Sequence, residues 1–358
     1  MAEKTVNLGA VQKLIEDPAI SEIMVNGPKK IFIEKSGKKI LSDVTFSSDE
    51  EILKLIDAIY SARGKRVDKD VPYADVCLED GTRINAIIPP VSRFGISVTF
   101  RKFSKEINSL EDLIRLGTLN PKAAELLVAC IKGKINILFS GGTGVGKTTT
   151  LQILSKYFDP EERVITIEDA AELQMAQENV ISLETRTPDR EGKGGVSLRD
   201  LIRNALRMAP DRLIVGEVRG AEAIDMIQAM ATGHTGTIGV IHGNSPKEVI
   251  ARLETMMLMS GLSLPLWEVR KLIASTIHLV VHLERLQDGS RKVTYITEIR
   301  GMEREEYLFN DLFVFRFDKI DAAGKVLGGL RASIRYYPLF FQKLQKLNLI
   351  SDKIFVNE

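Results

Sequence analysis

Apolar positions over the first hundred residues follow two rhythms. "LGAVQKLIE" (8–16) has the spacing of a short amphipathic helix that ends before Asp17-Pro18. "EIMVN", "KIFIEK" and "KILSDVTF" alternate with period two around Gly27-Pro28 and Ser36-Gly37, which predicts short antiparallel strands. A helix, "DEEILKLIDAIYSARG", starts at Asp49. A hairpin with Asp80-Gly81 at its turn follows in "YADVCLEDGTRINAII", and "GISVTFRKF" adds a strand. Residues 1–103 therefore read as an α+β domain.

The polar stretch "FSKEINS" interrupts both rhythms, so 104–109 reads as a linker. From Leu110 onward, longer helical patterns such as "LRDLIRNALRM" and "AIDMIQAMAT" alternate with compact apolar runs. These runs are "INILFS", "RVITIED", "NVISLE", "RLIVGE", "TIGVIH" and "IHLVVHLE". Such alternation predicts an α/β domain over 110–358, with a mostly parallel sheet covered by helices. Beyond Gly301, "LFVFRF" reads as a strand. "YYPLFFQKLQKLNL" reads as a basic helix with either a buried aromatic face or a partner-docking surface.

Composition narrows the functional classes. Forty-nine Lys+Arg against 48 Asp+Glu leave a formal charge of +1, so the overall balance attracts neither nucleic acid nor an anionic membrane. Cys77 and Cys130 have no CxxC spacing, which argues against a zinc ribbon and fits a reducing cytosol. No run reaches the ~18 apolar residues of a spanning helix, and the first residues lack a signal-type apolar core. Membrane contact is expected only through partners.

Chemistry concentrates at "GGTGVGKT". Gly141 to Thr148 fit G-x-x-x-x-G-K-[ST] between a strand and a helix. The loop over Gly142, Thr143, Gly144, Val145 and Gly146 would aim backbone N–H groups at one anion, and the new helix adds its positive end. Lys147 is expected on the β- and γ-phosphates of ATP, Thr148 on Mg²⁺, and Thr149 beside them. The glycines also resemble a fragment of a dinucleotide fingerprint, but the Lys-Thr pair has no job there.

Many P-loop enzymes end a second apolar strand with a metal-holding Asp. Here "DRLIVGEVRG" has Gly216 at that point and Glu217 next. Glu217 then either activates water or holds the metal, or is a solvated strand end. Glu168-Asp169, followed by Glu172, closes another strand and would face the same crevice. His234 and His242, in "ATGHTGTIGVIHGNS", sit beside small residues where imidazole serves either structure or a phosphate or carboxylate. His278 and His282 lie in a strand-like run whose spacing does not converge on one metal ligand, so both read as structural.

Together, "GGTGVGKTT", "TIEDAAEL", "RNALRMAPDRLIVGEVRG" and "TGHTGTIGVIHGNS" resemble, in order and spacing, the secretion ATPases of type II, type IV and type IV pilus systems. "EIMVNGP", "DGTRINAIIPPVS", "RKFSK", "LIRLGTLN" and "DLFVF" make the chain most similar to the tight-adherence (Tad/Flp) pilus branch, the CpaF/TadA type. The resemblance spans nearly the whole chain. It implies a PAS-like N-terminal domain before a RecA-like P-loop ATPase domain, and a homo-hexamer at the inner face of the cytoplasmic membrane. The partner it implies is a polytopic inner-membrane platform protein. It also implies that Arg83 and Arg101 act as arginine fingers and that Arg203, Arg207 and Arg219 face a ring interface. Without it, Arg83 and Arg101 read as solvated strand residues.

The sequence departs from that pattern at Thr235, where an acidic residue is expected, and at Gly243, where alanine is usual. It also lacks the long N-terminal extension of many relatives and the paired CxxC insertion of many type II members. Two other classes share the motor core or the loop. A nucleic-acid translocase would call for a basic, aromatic strip, and the chain has 6% aromatics. A small-molecule kinase would leave the first α+β domain without a role.

Overall fold

A computed structural model describes residues 8–35, 37–78, 80–102, 107–188, 191–261 and 263–355. Ser36, part of an expected turn, and residues 104–106 of the expected linker lie outside these residues. The chain divides into two compact units, Met1–Glu106 and Ile107–Glu358.

In the first unit a 3-10 turn (Gly9–Val11) leads into α1 (Gln12–Glu16), replacing the single helix expected there. Strands β1 (Ile20–Asn26), β2 (Ile31–Lys35) and β3 (Lys38–Leu41) precede α2 (Asp49–Ser61), and β4 (Tyr73–Cys77), β5 (Arg83–Ile87) and β6 (Ser97–Arg101) follow it. All pair antiparallel in the order β3-β2-β1-β6-β5-β4. Helix α2 buries Ile52, Leu55, Ile56 and Ile59, a stripe at helical spacing. Beside them, Tyr60 sends its hydroxyl to the carbonyls of Ala74 and Ile84 at 2.8 and 3.0 Å. Alternation along β5 and β6 puts Ile84, Ala86, Val98 and Phe100 in the core. Arg83 and Arg101 fall on the opposite face, directly across from each other.

The second unit opens with α3 (Leu110–Arg115) and α4 (Pro121–Lys132). Then come β7 (Ile137–Gly141), α5 (Lys147–Ser155), β8 (Val164–Glu168), β9 (Val180–Glu184), α6 (Leu198–Ala205), β10 (Arg212–Val218), α7 (Glu222–Ala231) and β11 (Ile238–Ile241). Helices α8 (Pro246–Leu258) and α9 (Leu266–Thr276) lead to β12 (Leu279–Arg285), β13 (Arg291–Glu303), β14 (Glu306–Ile320), β15 (Val326–Ala332) and α10 (Phe341–Lys346). The sheet order is β15-β14-β13-β12-β7-β11-β10-β8-β9. From β12 to β9 every pairing is parallel, so six strands end at one edge of the sheet. One core cluster, including α4 and α5, covers one face, and another, including α7, α8 and α9, covers the other.

The antiparallel extension β13–β15 is longer than the single strand expected beyond Gly301. Its pattern is broken by polar residues that the fold buries. Glu298, 1% exposed, accepts from Asn310 Nδ2 at 2.9 Å and from the Leu339 N–H at 2.5 Å. The terminal segment is helical only over Phe341–Lys346, after Pro338, which disfavours a helical residue before it. Tyr337, Phe341 and Phe355 form a ring cluster, while Tyr336 and Leu339 are exposed. Among the described residues no helix is long and apolar enough to cross a membrane.

Candidate nucleotide site

Strand β7 is buried throughout and delivers Gly141 to the sheet edge. Gly141 has φ 142°, and a Cβ there would lie 2.2 Å from the Leu283 carbonyl oxygen of β12. Only glycine lets the two strands stay paired while the loop departs. Gly146 caps α5 in the left-handed conformation, φ 99°, and so turns the helix start toward the loop. Val145, 4% exposed, anchors the loop; Gly142 and Thr143 are exposed, and Gly144, Thr148 and Thr149 are half-buried. Lys147 is 6% exposed and donates to the Gly141 and Gly142 carbonyls at 3.0 and 2.6 Å, so its ammonium lies in the concavity of the loop.

A cavity of about 190 Å³ opens beside the start of α5, among Leu113, Leu116, Val145, Thr149 and Arg291. Leu113 and Leu116 belong to "LIRLGTLN", read from sequence only as a family signal, and Arg291 was not singled out. Arg291 opens β13, and no local motif marks it.

The carboxylates reach the same edge from neighbouring strands. Glu168, at the end of β8 and 4% exposed, accepts the Glu172 and Leu173 N–H groups, both at 3.1 Å. Burial pushes its carboxyl up to about 7, against those two hydrogen bonds. On β10, half-buried Glu217 accepts from Arg219 Nη2 at 2.6 Å and meets His242 Nε2 at 3.0 Å. Burial alone would raise its carboxyl; the Arg219 hydrogen bond and charge, with His242 and Lys147, outweigh that and hold it below the usual range. Burial and Lys147 lower His242, against the pull of Glu217, which favours a neutral ring that donates through Nε2–H. Arg219 also lies 3.8 Å from Asp169. Thus Lys147, Glu168, Glu217 and His242 stand on one edge, with Glu217 gripped from two sides.

The family model for the type II/IV secretion system protein matches residues 4–311. The chain belongs to this family. It is similar to the type IV secretion system protein PtlH of Bordetella pertussis, 33% identical over 324 residues, covering 81% of this chain and 93% of that protein. It is also similar to the conjugal transfer protein TrbB of Rhizobium radiobacter, 29% identical over 299 residues, covering 82% and 88%. Among solved structures, the ATPase DotB of Legionella pneumophila matches with a TM-score of 0.57 at 22% identity over 82% of this chain and 80% of that one. That likeness bears on the fold, a mixed α/β chain with an N-terminal unit before the P-loop unit.

Within this family member the two histidines of "TGHTGTIGVIHGNS" part company. His242 follows β11 at the P-loop edge, whereas His234 precedes β11 at the opposite edge, its Nδ1 3.2 Å from the Ala229 carbonyl. Thr235 is exposed. Gly243 has a packing reason: a Cβ there would come within 2.4 Å of Val249 Cγ2 on α8. Of the two histidines read as structural, His278 accepts the Asn136 N–H at 3.3 Å and His282 is fully buried in β12. In the first unit Arg101 pairs with Glu22 at 3.3 Å. Arg203 is bonded to Asp225 at 2.8 Å, and Arg207 is exposed.

Proposed function

We propose that this family member is a Mg²⁺-dependent ATPase, working as a homo-hexameric motor at the cytoplasmic face of the inner membrane. Its work is the assembly or retraction of a tight-adherence (Tad/Flp) pilus, or related secretion, through a polytopic platform protein. The observation that carries this reading is Glu217: an ionised carboxylate held by Arg219 and His242 at the same sheet edge as a P-loop.

In this reading the loop from Gly142 to Thr149 binds the phosphates of ATP, and Lys147 neutralises the β- and γ-oxygens. Mg²⁺ is usually held through substrate phosphates and one or two protein oxygens rather than an all-protein cage. The half-buried Thr148 at the start of α5, with Glu217 and Glu168 behind it, fits that donor set. When bound, the ion supplies charge neutralisation on the transferring phosphoryl group. Glu217 orients and deprotonates the attacking water; its lowered carboxyl is ionised at neutral pH, as a base must be. Arg83 and Arg101 have the finger role, because a guanidinium keeps its charge and its fork suits a loose phosphoryl-transfer transition state. The division into a PAS-like domain, 1–103, and a RecA-like ATPase domain, 110–358, belongs to the same reading. Relatives named for type IV secretion and conjugal transfer support a transport role. A net charge of +1 counts against direct nucleic-acid binding.

The test is ATPase activity per chain as a function of protein concentration, with Lys147→Ala as the blank. Activity that rises and then levels off as a hexamer forms supports sites completed by assembly. An active monomer would overturn the ring.

A further inference from the structure

His282 was read as a structural strand residue, and its surroundings give it a more particular role. It pairs in register with Ser140, the residue before Gly141 at the root of the phosphate loop. Both side chains are fully buried, and His282 Nδ1 lies 2.8 Å from Ser140 Oγ. Strand alternation puts the pair on the sheet face that carries Leu138 and Val280, whose core includes Val249, Ile250 and Leu253 of α8. On that side the backbone of Asn244 and the charges of Glu248, at the start of α8, and of Lys147 act on the ring. Nε2 is buried and lies 3.6 Å from Glu284 Oε1.

A buried polar pair carries a desolvation cost that an apolar pair would avoid. What the pair touches accounts for its presence. Ser140 leads directly into the phosphate loop. Asn244 lies two residues after His242, the partner of Glu217, and Gly243 between them is pressed on Val249.

We propose that His282 is a positioning residue that ties the root of the phosphate loop, through Ser140, to the 242–245 segment, keeping Glu217 and His242 in register with the bound phosphates. The proposal rests on the ATPase reading for its purpose, but the physical linkage is testable apart from it. His282 contacts no nucleotide; it acts through Ser140 and through the segment that bears His242.

The linkage is read first without turnover. Four histidines in the chain make the imidazole NMR spectrum assignable. Ser140→Ala and His282→Asn should each shift the His242 ring resonances while leaving those of His234, at the opposite edge, in place. His242 resonances identical to wild type in both variants would overturn the proposal. If the wild-type chain hydrolyses ATP, His282→Phe should lower kcat by about tenfold to a hundredfold, the scale of a slightly misplaced catalytic group. KM for ATP should move less than about threefold, and His282→Asn should recover most of the rate. Unchanged kcat in folded His282→Phe, or a loss shared equally by nucleotide binding and thermal stability, would reduce His282 to packing. Should His282→Phe fail to fold, Ser140→Ala carries the same kcat-against-KM test. A wild-type chain without ATPase activity would sink the ATPase reading and leave the NMR result to decide the linkage.

Discussion

Gly216 lies beside Glu168 across β10 and β8, and a Cβ on Gly216 would stand 2.6 Å from Glu168 Cγ. The missing side chain at the position where many P-loop enzymes carry an Asp is what lets the neighbouring strand's carboxylate lie across it. Gly216→Ala must therefore displace Glu168 or β10. A loss of about 1–3 kcal/mol in urea unfolding, typical of an overpacked core, is expected, together with slower hydrolysis. Unchanged unfolding would mean that Glu168 moves aside freely.

Glu168 should also make stability depend on pH. Its carboxyl is raised by burial from 4.5 to about 7, so between those values the folded chain binds a proton that the unfolded chain releases. This contribution to stability is fully present below 4.5 and is lost as pH rises through 7, a change of about 3 kcal/mol. Glu168→Gln should flatten that slope and exceed wild type in stability at pH 8. Urea titrations of both proteins at pH 5 and pH 8, without nucleotide or metal, check the sign.

Glu217→Gln keeps the shape and a hydrogen-bonding oxygen for Arg219, but it removes the proposed base. Turnover should fall by about 100-fold or more, while a fluorescent ATP analogue still binds. Hydrolysis at the wild-type rate would remove Glu217 from the chemistry.

Much of this was legible in the sequence because it is local. The strand, the glycines, Lys147 and Thr148 are contiguous, and compact apolar runs alternating with helical patterns marked the parallel strands that carry Glu168 and Glu217. What stayed hidden is made by distant segments or by buried polar groups. Arg291 reaches the start of α5 from the first residue of β13, some 140 residues further along the chain. β13 conceals its strand character behind Thr294, Thr297 and Glu298, which are buried because partners satisfy them. The histidine motif looked like one unit, although a strand runs between its two rings and sends them to opposite edges.

At that opposite edge Arg212, 1% exposed, makes a two-point ion pair with Glu162 at 2.7 and 2.9 Å. It also donates to the Gly236 and Ile131 carbonyls and covers the Phe158 ring at 4.1 Å. Removing Glu162 leaves the Arg212 charge buried, so Glu162→Gln should cost about 3–5 kcal/mol, whereas Arg212→Met should cost less because Lys134, 3.3 Å from Glu162, still faces the carboxylate. Nucleotide affinity of the folded fraction should stay at the wild-type value, since the pair lies across the sheet from the P-loop. Calorimetric unfolding alongside ATP-analogue titration separates the two effects.

The edge assignment makes the histidines separable by function. His242 Nε2–H supports Glu217 at 3.0 Å, and removing it leaves the carboxylate held by Arg219 alone. His242→Ala should therefore reduce kcat by about tenfold or more with KM for ATP little changed, as for a group that orients a base. Among the described residues His234 bonds to the end of α7 and to its own turn, its ring at the Ala229 carbonyl and its carbonyl accepting from Thr237 Oγ1 at 2.7 Å. His234→Ala should leave hydrolysis within about twofold and register, if at all, as a small loss of stability, within the range of surface substitutions. Steady-state kinetics on the two variants decide the matter: equal losses of kcat would mean that the two sheet edges act together in turnover, whereas a loss confined to His242→Ala ties the chemistry to the P-loop edge.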